Sequence, residues 1–187
     1  MGLSSSGMTD SAGIGIYAEP MNDYPGCDSA GAPAALPTPV LKFFADLAVQ
    51  VGPPQEVGQT AQGLRRVVPI VGGTARGDGW AARVLPGGAD FQRIVNGSLS
   101  ELDARYVLET DAGDRIYVQN QAIRCGPAAL IARLGRGEPV DPAQIYFRCH
   151  PRFETACASL AWISERCFVG TGARYPDRVA MRFFELT

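Results

Sequence analysis

The sequence predicts an all-β domain, a sandwich or a barrel, and three observations carry that expectation. From Pro39 onward, short runs of β-branched and aromatic residues alternate with turn residues at roughly 8–12 residue spacing, the texture of short antiparallel strands. No strand–helix–strand rhythm appears, which argues against a doubly wound parallel sheet. One segment, "ARYVLETDAGDRIYVQN", alternates with period two on both sides of a turn, as a hairpin does.

Taken in order, residues 1–38 are rich in Gly, Ser, Ala and Pro and end in "GAPAALPTP". Such a composition buries little and predicts a flexible leader or a wrapping arm, with the β-domain occupying 39–187. Strands are expected near 40–51, 65–71, 79–86, 90–96, 102–110, 114–124, 143–149, 166–171 and 178–186. Pro69 in "LRRVVPIVGG" cannot donate to a ladder, so it marks an edge strand or a bulge. "VLPGGADF" breaks a strand on Pro86, Gly87 and Gly88 and then presents Asp90. The β-branched "FQRIVNG" that follows predicts another strand, and a phosphate-binding glycine loop needs a helix there.

The hairpin can be specified residue by residue. A three-residue loop, Asp111-Ala112-Gly113, suits a type I turn with a bulge, because its last position needs positive φ. That loop pairs Thr110 with Asp114, Leu108 with Ile116, Tyr106 with Val118 and Ala104 with Asn120. The apolar face must be the inside, since burial contributes ~25 cal/mol per Å² of apolar surface. Tyr106 and Asn120 then become polar residues of an interior, while Asp103, Arg105 and Glu109 form exterior ion pairs. Further on, "CGPAALIARLGRG" signals a helix, with Pro127 in its first turn and Gly135 as a stop. "ASLAWISE" suggests one or two more helical turns.

Charge and cysteine content limit the function classes. The net charge is −2, yet residues 1–60 hold six acids and one base, and the rest hold thirteen acids and sixteen arginines. Those arginines are dispersed singly, so the clustered basic face of a nucleic-acid binder is missing. No apolar run approaches the ~18 residues of a membrane-spanning helix. Five cysteines without a Cys-x-x-Cys pair, and a single histidine, supply no zinc set. Reduced thiols in a cytoplasmic protein are expected, with no secretory signal at the start.

Candidate chemistry gathers in a few places. Asp90, presented after the turn, is one candidate acid or base. In "YFRCHPRFET", Tyr146, Arg148 and His150 share a strand face, with Glu154 just beyond; an arginine and a glutamate near a tyrosine can bind and polarise an oxygenated substrate. Cys149 and His150 are neighbours on a strand and point to opposite faces, so they form no catalytic dyad. In "FVGTGARYPDRV", Gly170 and Gly172 permit a bend or close backbone approach. Arg174 beyond them meets either a substrate anion or solvent.

Taken together, "VLPGGADF", "LDARYVLET", "DRIYVQN", "YFRCHPRFETA", "AWISERCFVGTGAR" and "VAMRFFEL" resemble, in order and spacing, the bacterial and fungal proteins catalogued as domain of unknown function 3237. The resemblance covers about residues 39–187. It implies a single closed antiparallel β-barrel of about 8–10 strands, lipocalin-like in shape, with one or two short connecting helices and no bound cofactor. Asp90, Arg105, Tyr106, Asn120, Tyr146, Arg148, Glu154 and Trp162 occupy recurring positions of the family, and no catalytic role transfers with them. Two departures are "RCHP", where a small hydroxyl residue usually follows the arginine, and the extension over residues 1–38.

Three functions fit these features. The first is a cofactor-independent isomerase, lyase or cyclase acting on a small, partly apolar metabolite inside the barrel. Asp90 or Glu154 would be its acid or base, Tyr106, Asn120, Tyr146 and Arg148 its polar contacts, and Trp162 an apolar wall. The second is a non-catalytic carrier or sensor using the same cavity. The third is an interaction module whose N-terminal arm docks onto a neighbouring subunit of a homo-oligomer.

Overall fold

A computed structural model describes residues 36–187, so the expected leader over 1–38 lies almost entirely outside the described residues. Ten strands form one sheet: β1 (Leu41–Val51), β2 (Gln55–Thr60), β3 (Gly63–Gly77), β4 (Trp80–Val84), β5 (Gly88–Asn96), β6 (Leu99–Thr110), β7 (Arg115–Cys125), β8 (Tyr146–Thr155), β9 (Phe168–Arg174) and β10 (Arg178–Leu186). All pairings are antiparallel. Strand β1 meets β10 on one side and β3 on the other, which shuts the sheet into a cylinder. Strands β4 and β5 lie end to end between β3 and β6, and β2 continues the line of β1, so ten strands make eight staves.

The β6–β7 hairpin has the pairing expected of it, with Leu108 opposite Ile116, Tyr106 opposite Val118 and Ala104 opposite Asn120. The Thr110 N–H donates to the Asp114 carbonyl at 2.9 Å, and Gly113 sits at φ 87°. Exterior ion pairs also form as expected: Arg105 holds Asp103, and Arg83 and Arg115 share Glu109.

Several elements differ from expectation. Strand β2 was not foreseen, because "QEVGQT" carries no apolar face and pairs on one side only. Strand β3 runs for 15 residues and is an interior stave. Pro69 sits where β1 gives way to β2: Val51 opposes Ile70, Gln55 opposes Val67, and the register slips between Gln50 and Val51. The register slip falls at Val71, and Pro69, paired with Ala89 on its other side, is neither on an edge strand nor itself the bulged residue. Strand β8 extends to Thr155 through Pro151, and its ladder with β9 spans only Arg148–Thr171 and Cys149–Gly170. Pro151, which has no N–H to donate, lies beyond that ladder.

Short helical segments pack at the two ends of the barrel. Helix α1 (Ala128–Gly135) follows β7, buries Leu134 and packs Leu130 and Ile131 on the core at the end where Arg124 lies. Its stop is Gly137 at φ 76°, and Gly135 is its last helical residue. The Gly137 N–H donates to Leu134 and the Glu138 N–H to Arg133, a glycine-terminated cap that needs the left-handed backbone. At the opposite end the 3₁₀ segment Ala158–Glu165 buries Ile163. There the Phe44 ring lies 4.7 Å from Phe168, 5.3 Å from Phe153 and 5.9 Å from Trp162, centroid to centroid. Among the described residues, no helix is long and apolar enough to cross a membrane.

Candidate functional site

The site is built by a break in one stave. Leu85, Pro86 and Gly87 separate β4 from β5, and Gly88 then brings β5 hard against β6. A Cβ at Gly88 would stand 2.5 Å from the Arg105 carbonyl oxygen and 2.6 Å from Tyr106 Cβ, so only glycine fits. Two residues later Asp90 opposes Val68 on β3 and Ala104 on β6, and its side chain points into the barrel. Gln92 follows on the same face.

A cavity of about 40 Å³ lies there, lined by Asp90, Gln92, Tyr106, Asn120 and Arg124 among apolar residues that include Ile70 and Met181. The Arg66 Nε donates to Gln92 Oε1 at 2.8 Å, and Gln92 Nε2 donates to Asp90 Oδ2 at 2.5 Å. The other carboxyl oxygen, Asp90 Oδ1, is buried with no partner among the described residues. The same holds for Ser100 Oγ, Asn120 Oδ1, Arg124 Nε and Arg174 Nε. Buried polar atoms are almost always hydrogen-bonded, so the three of these that belong to cavity-lining residues, on Asp90, Asn120 and Arg124, make this the polar part of the interior.

Burial sets the electrostatics. It pushes the Asp90 carboxyl above its ordinary value, against the opposing effects of the Gln92 hydrogen bond, the Arg124 charge, the Asp103 backbone and the Arg66 charge. Burial, with Arg174 and Arg66 as like-charged neighbours, brings Arg124 down to about 10, which still leaves it a cation at neutral pH. Arg174 is lowered for similar reasons, burial first and then Arg66. The Tyr106 phenol is held far above its usual value by burial and stays a neutral donor. Among the described residues, no group of histidine, cysteine and carboxylate side chains could hold a metal ion.

Of the seven residues expected from the sequence, the structure brings Asp90, Tyr106 and Asn120 together in the cavity. It does not bring Tyr146, Arg148, Glu154 or Trp162 there. The inner face of β8 is Phe147, Cys149, Pro151 and Phe153, so period two sends Tyr146, Arg148 and Glu154 outward. Arg148 instead donates to Thr171 Oγ1 at 3.1 Å and stacks over Tyr146 on the outer surface. Trp162 belongs to the aromatic plug at the far end. A Glu154→Gln variant should therefore change stability by less than about 0.5 kcal/mol, as read by urea denaturation. Cys149 and His150 do face opposite ways, and burial pushes the Cys149 thiol up to about 12.

Sequence reasoning missed Arg66, Gln92 and Arg124. The signal was present for Arg124: continuing the inner register of β7 from Ile116, Val118 and Asn120 gives Ala122 and then Arg124. Gln92 follows from Asp90 by the same count, and Arg66 is its partner across β3 and β5.

Known proteins share this architecture and much of this sequence. A UPF0311 protein of Rhodopseudomonas palustris is 46% identical over 145 residues, covering 78% of this chain and 95% of its own. A crystal structure of a conserved protein of unknown function from that organism superposes with a TM-score of 0.77 at 42% identity, over 82% of this chain and 100% of that one. A β-barrel-like protein from Acinetobacter baumannii gives 0.73 at 35% identity, over 82% and 99%. An enzyme from Penicillium herquei gives 0.61 at 18% identity, over 82% and 98%, a likeness of fold alone. The family model described as protein of unknown function (DUF3237) matches residues 39–186. With that match over most of its length and relatives this similar, the chain belongs to the DUF3237 family.

Proposed function

We propose that this barrel is a cofactor-independent enzyme, an isomerase, lyase or cyclase that rearranges a small, partly apolar oxygenated metabolite by acid–base catalysis. The observation that carries the reading is the free Oδ1 of Asp90, a buried carboxyl oxygen beside a cavity shared with Tyr106, Asn120 and Arg124. Its raised pKa brings the carboxyl closer to the pH at which one group can both accept and return a proton.

In the step assigned to it, Asp90 removes a proton from carbon or oxygen of the substrate. An O–H bond forms on Asp90 and the electron pair stays on the substrate. The neutral phenol of Tyr106 donates a hydrogen bond to the oxygen that gains charge, and Arg124 supplies a fixed positive charge. Return of the proton to a different atom completes an isomerisation or a ring closure. Loss of a leaving group with the electron pair completes an elimination.

Incubating the pure protein with an extract of its host, and following metabolites by mass spectrometry, tests the reading. A metabolite that disappears into an isomer or a smaller product supports it. A metabolite that co-purifies unchanged favours a carrier or sensor instead.

A further inference from the structure

The orphaned atoms differ in chemical character, and the difference points to a ligand. Arg66, Arg124 and Arg174 crowd one half of the barrel, near enough for like charge to act between them. Against these three guanidinium groups stands, among the described residues, one interior carboxylate, Asp90. A second acid, Glu56, lies 4.0 Å from Arg66 with its side chain half exposed. Even if Glu56 is counted in full, the half-barrel carries an excess of one positive charge. Arg124 is 4% exposed, lines the cavity, and has a buried Nε without an acceptor among the described residues. Arg174, at the end of β9 and one strand removed from β7, also has a buried Nε without an acceptor among the described residues, though it lies outside the cavity lining.

Buried guanidinium groups without acceptors are costly, and proteins keep them where an anion completes them. The guanidinium fork matches a carboxylate in planar, two-point fashion. The remaining walls of the cavity, Val49, Ile70, Val179 and Met181, are apolar and suit a hydrocarbon body. The cavity measures about 40 Å³, which favours a small acid.

We propose that Arg124 and Arg174, backed by Arg66, bind the carboxylate of a small organic acid and so present its neighbouring atoms to Asp90. The substrate class is then a short carboxylic acid with an apolar body and a proton for Asp90 or Asn120 to accept as a hydrogen bond. This rests on the reading of the cavity as a substrate site, and it names what that site recognises.

The test uses the full chain and calorimetric titration with acetate, isobutyrate and benzoate, each against its neutral amide, at constant ionic strength. Inorganic phosphate is titrated separately. The expected result is saturable binding of at least one carboxylate, with its amide weaker by on the order of 10- to 100-fold. Arg124→Gln and Arg174→Gln should each erase that preference, while Arg152→Gln, on the exposed face of β8, should keep it. If Arg124→Gln does not fold, Arg174→Gln carries the test, because its side chain is less deeply enclosed. The proposal is overturned if no carboxylate binds, if amides bind as tightly, or if both arginine variants keep the preference. Phosphate binding more tightly than every carboxylate would overturn it too. Carboxylate binding without conversion of any host metabolite would leave this anion site standing and remove the catalytic reading. Conversion of a neutral metabolite, with no carboxylate preference, would do the reverse.

Discussion

On the proposed function, asparagine in place of Asp90 will lower turnover by orders of magnitude and, at neutral pH, raise the melting temperature. Loss of a positioned acid–base group lowers rates by about 10²- to 10⁴-fold. The stability effect has its own sign, set by burial. Because burial holds the Asp90 carboxyl of the folded chain above its ordinary value, ionising it costs more in the folded state than in the unfolded one. Wild-type stability is therefore complete below pH 3.8 and declines as pH rises through the folded value. Attraction to Arg124 and Arg66 acts in the other direction but is outweighed by burial. Asparagine does not titrate, so the variant's advantage should be widest at pH 7–8 and vanish near pH 3–4. Melting curves of both proteins across that range give the answer. A variant less stable than wild type at pH 7 would make Asp90 a structural ion-pair partner and remove it from the chemistry. Gain in stability with loss of function is what a carboxylate kept for reactivity should show.

Phe183→Ala will cost about 3–5 kcal/mol, the range for deleting a fully enclosed aromatic ring. The ring is 0% exposed and lies 6.1 Å from Phe153, centroid to centroid. It also fills the space that Gly170 leaves open: a Cβ there would stand 2.6 Å from Phe183 Cδ1, 2.8 Å from the Arg182 carbonyl oxygen and 2.8 Å from Cys149 Sγ. Gly170→Ala should thus destabilise the wild type and cost less in the Phe183→Ala background, where one of the three obstacles is gone. Urea denaturation of the four proteins measures the coupling. Additive costs would show that Gly170 is required by the backbone and the thiol alone.

Local alternation made part of this molecule legible from its residues. The β6–β7 hairpin was readable pair by pair because a two-faced strand has one register that buries its apolar side, and that register carried Tyr106 and Asn120 inward. Asp90 was readable only as a candidate, since a turn followed by an acid is common on surfaces; the close approach at Gly88 is a tertiary fact. The same alternation, pursued through β8, would have turned Glu154, Arg148 and Tyr146 outward, but the density of polar groups there drew attention from Phe147, Cys149 and Phe153. Arg124 was passed over for the opposite reason. A buried arginine contradicts the expectation that charge lies outside, and such contradictions concentrate where proteins act. Trp162 could not be placed, because a short 3₁₀ segment records nothing in its sequence about which end of a cylinder it covers.

The abbreviated ladder between β8 and β9 makes this cylinder unequal around its circumference. Past Cys149 the two strands no longer hold each other, and the chain between them bridges the gap with side-chain packing in place of backbone hydrogen bonds. A hoop joined so unevenly parts first at its seam, so breathing of the wall will concentrate there while the long β6–β7 pairing stays shut.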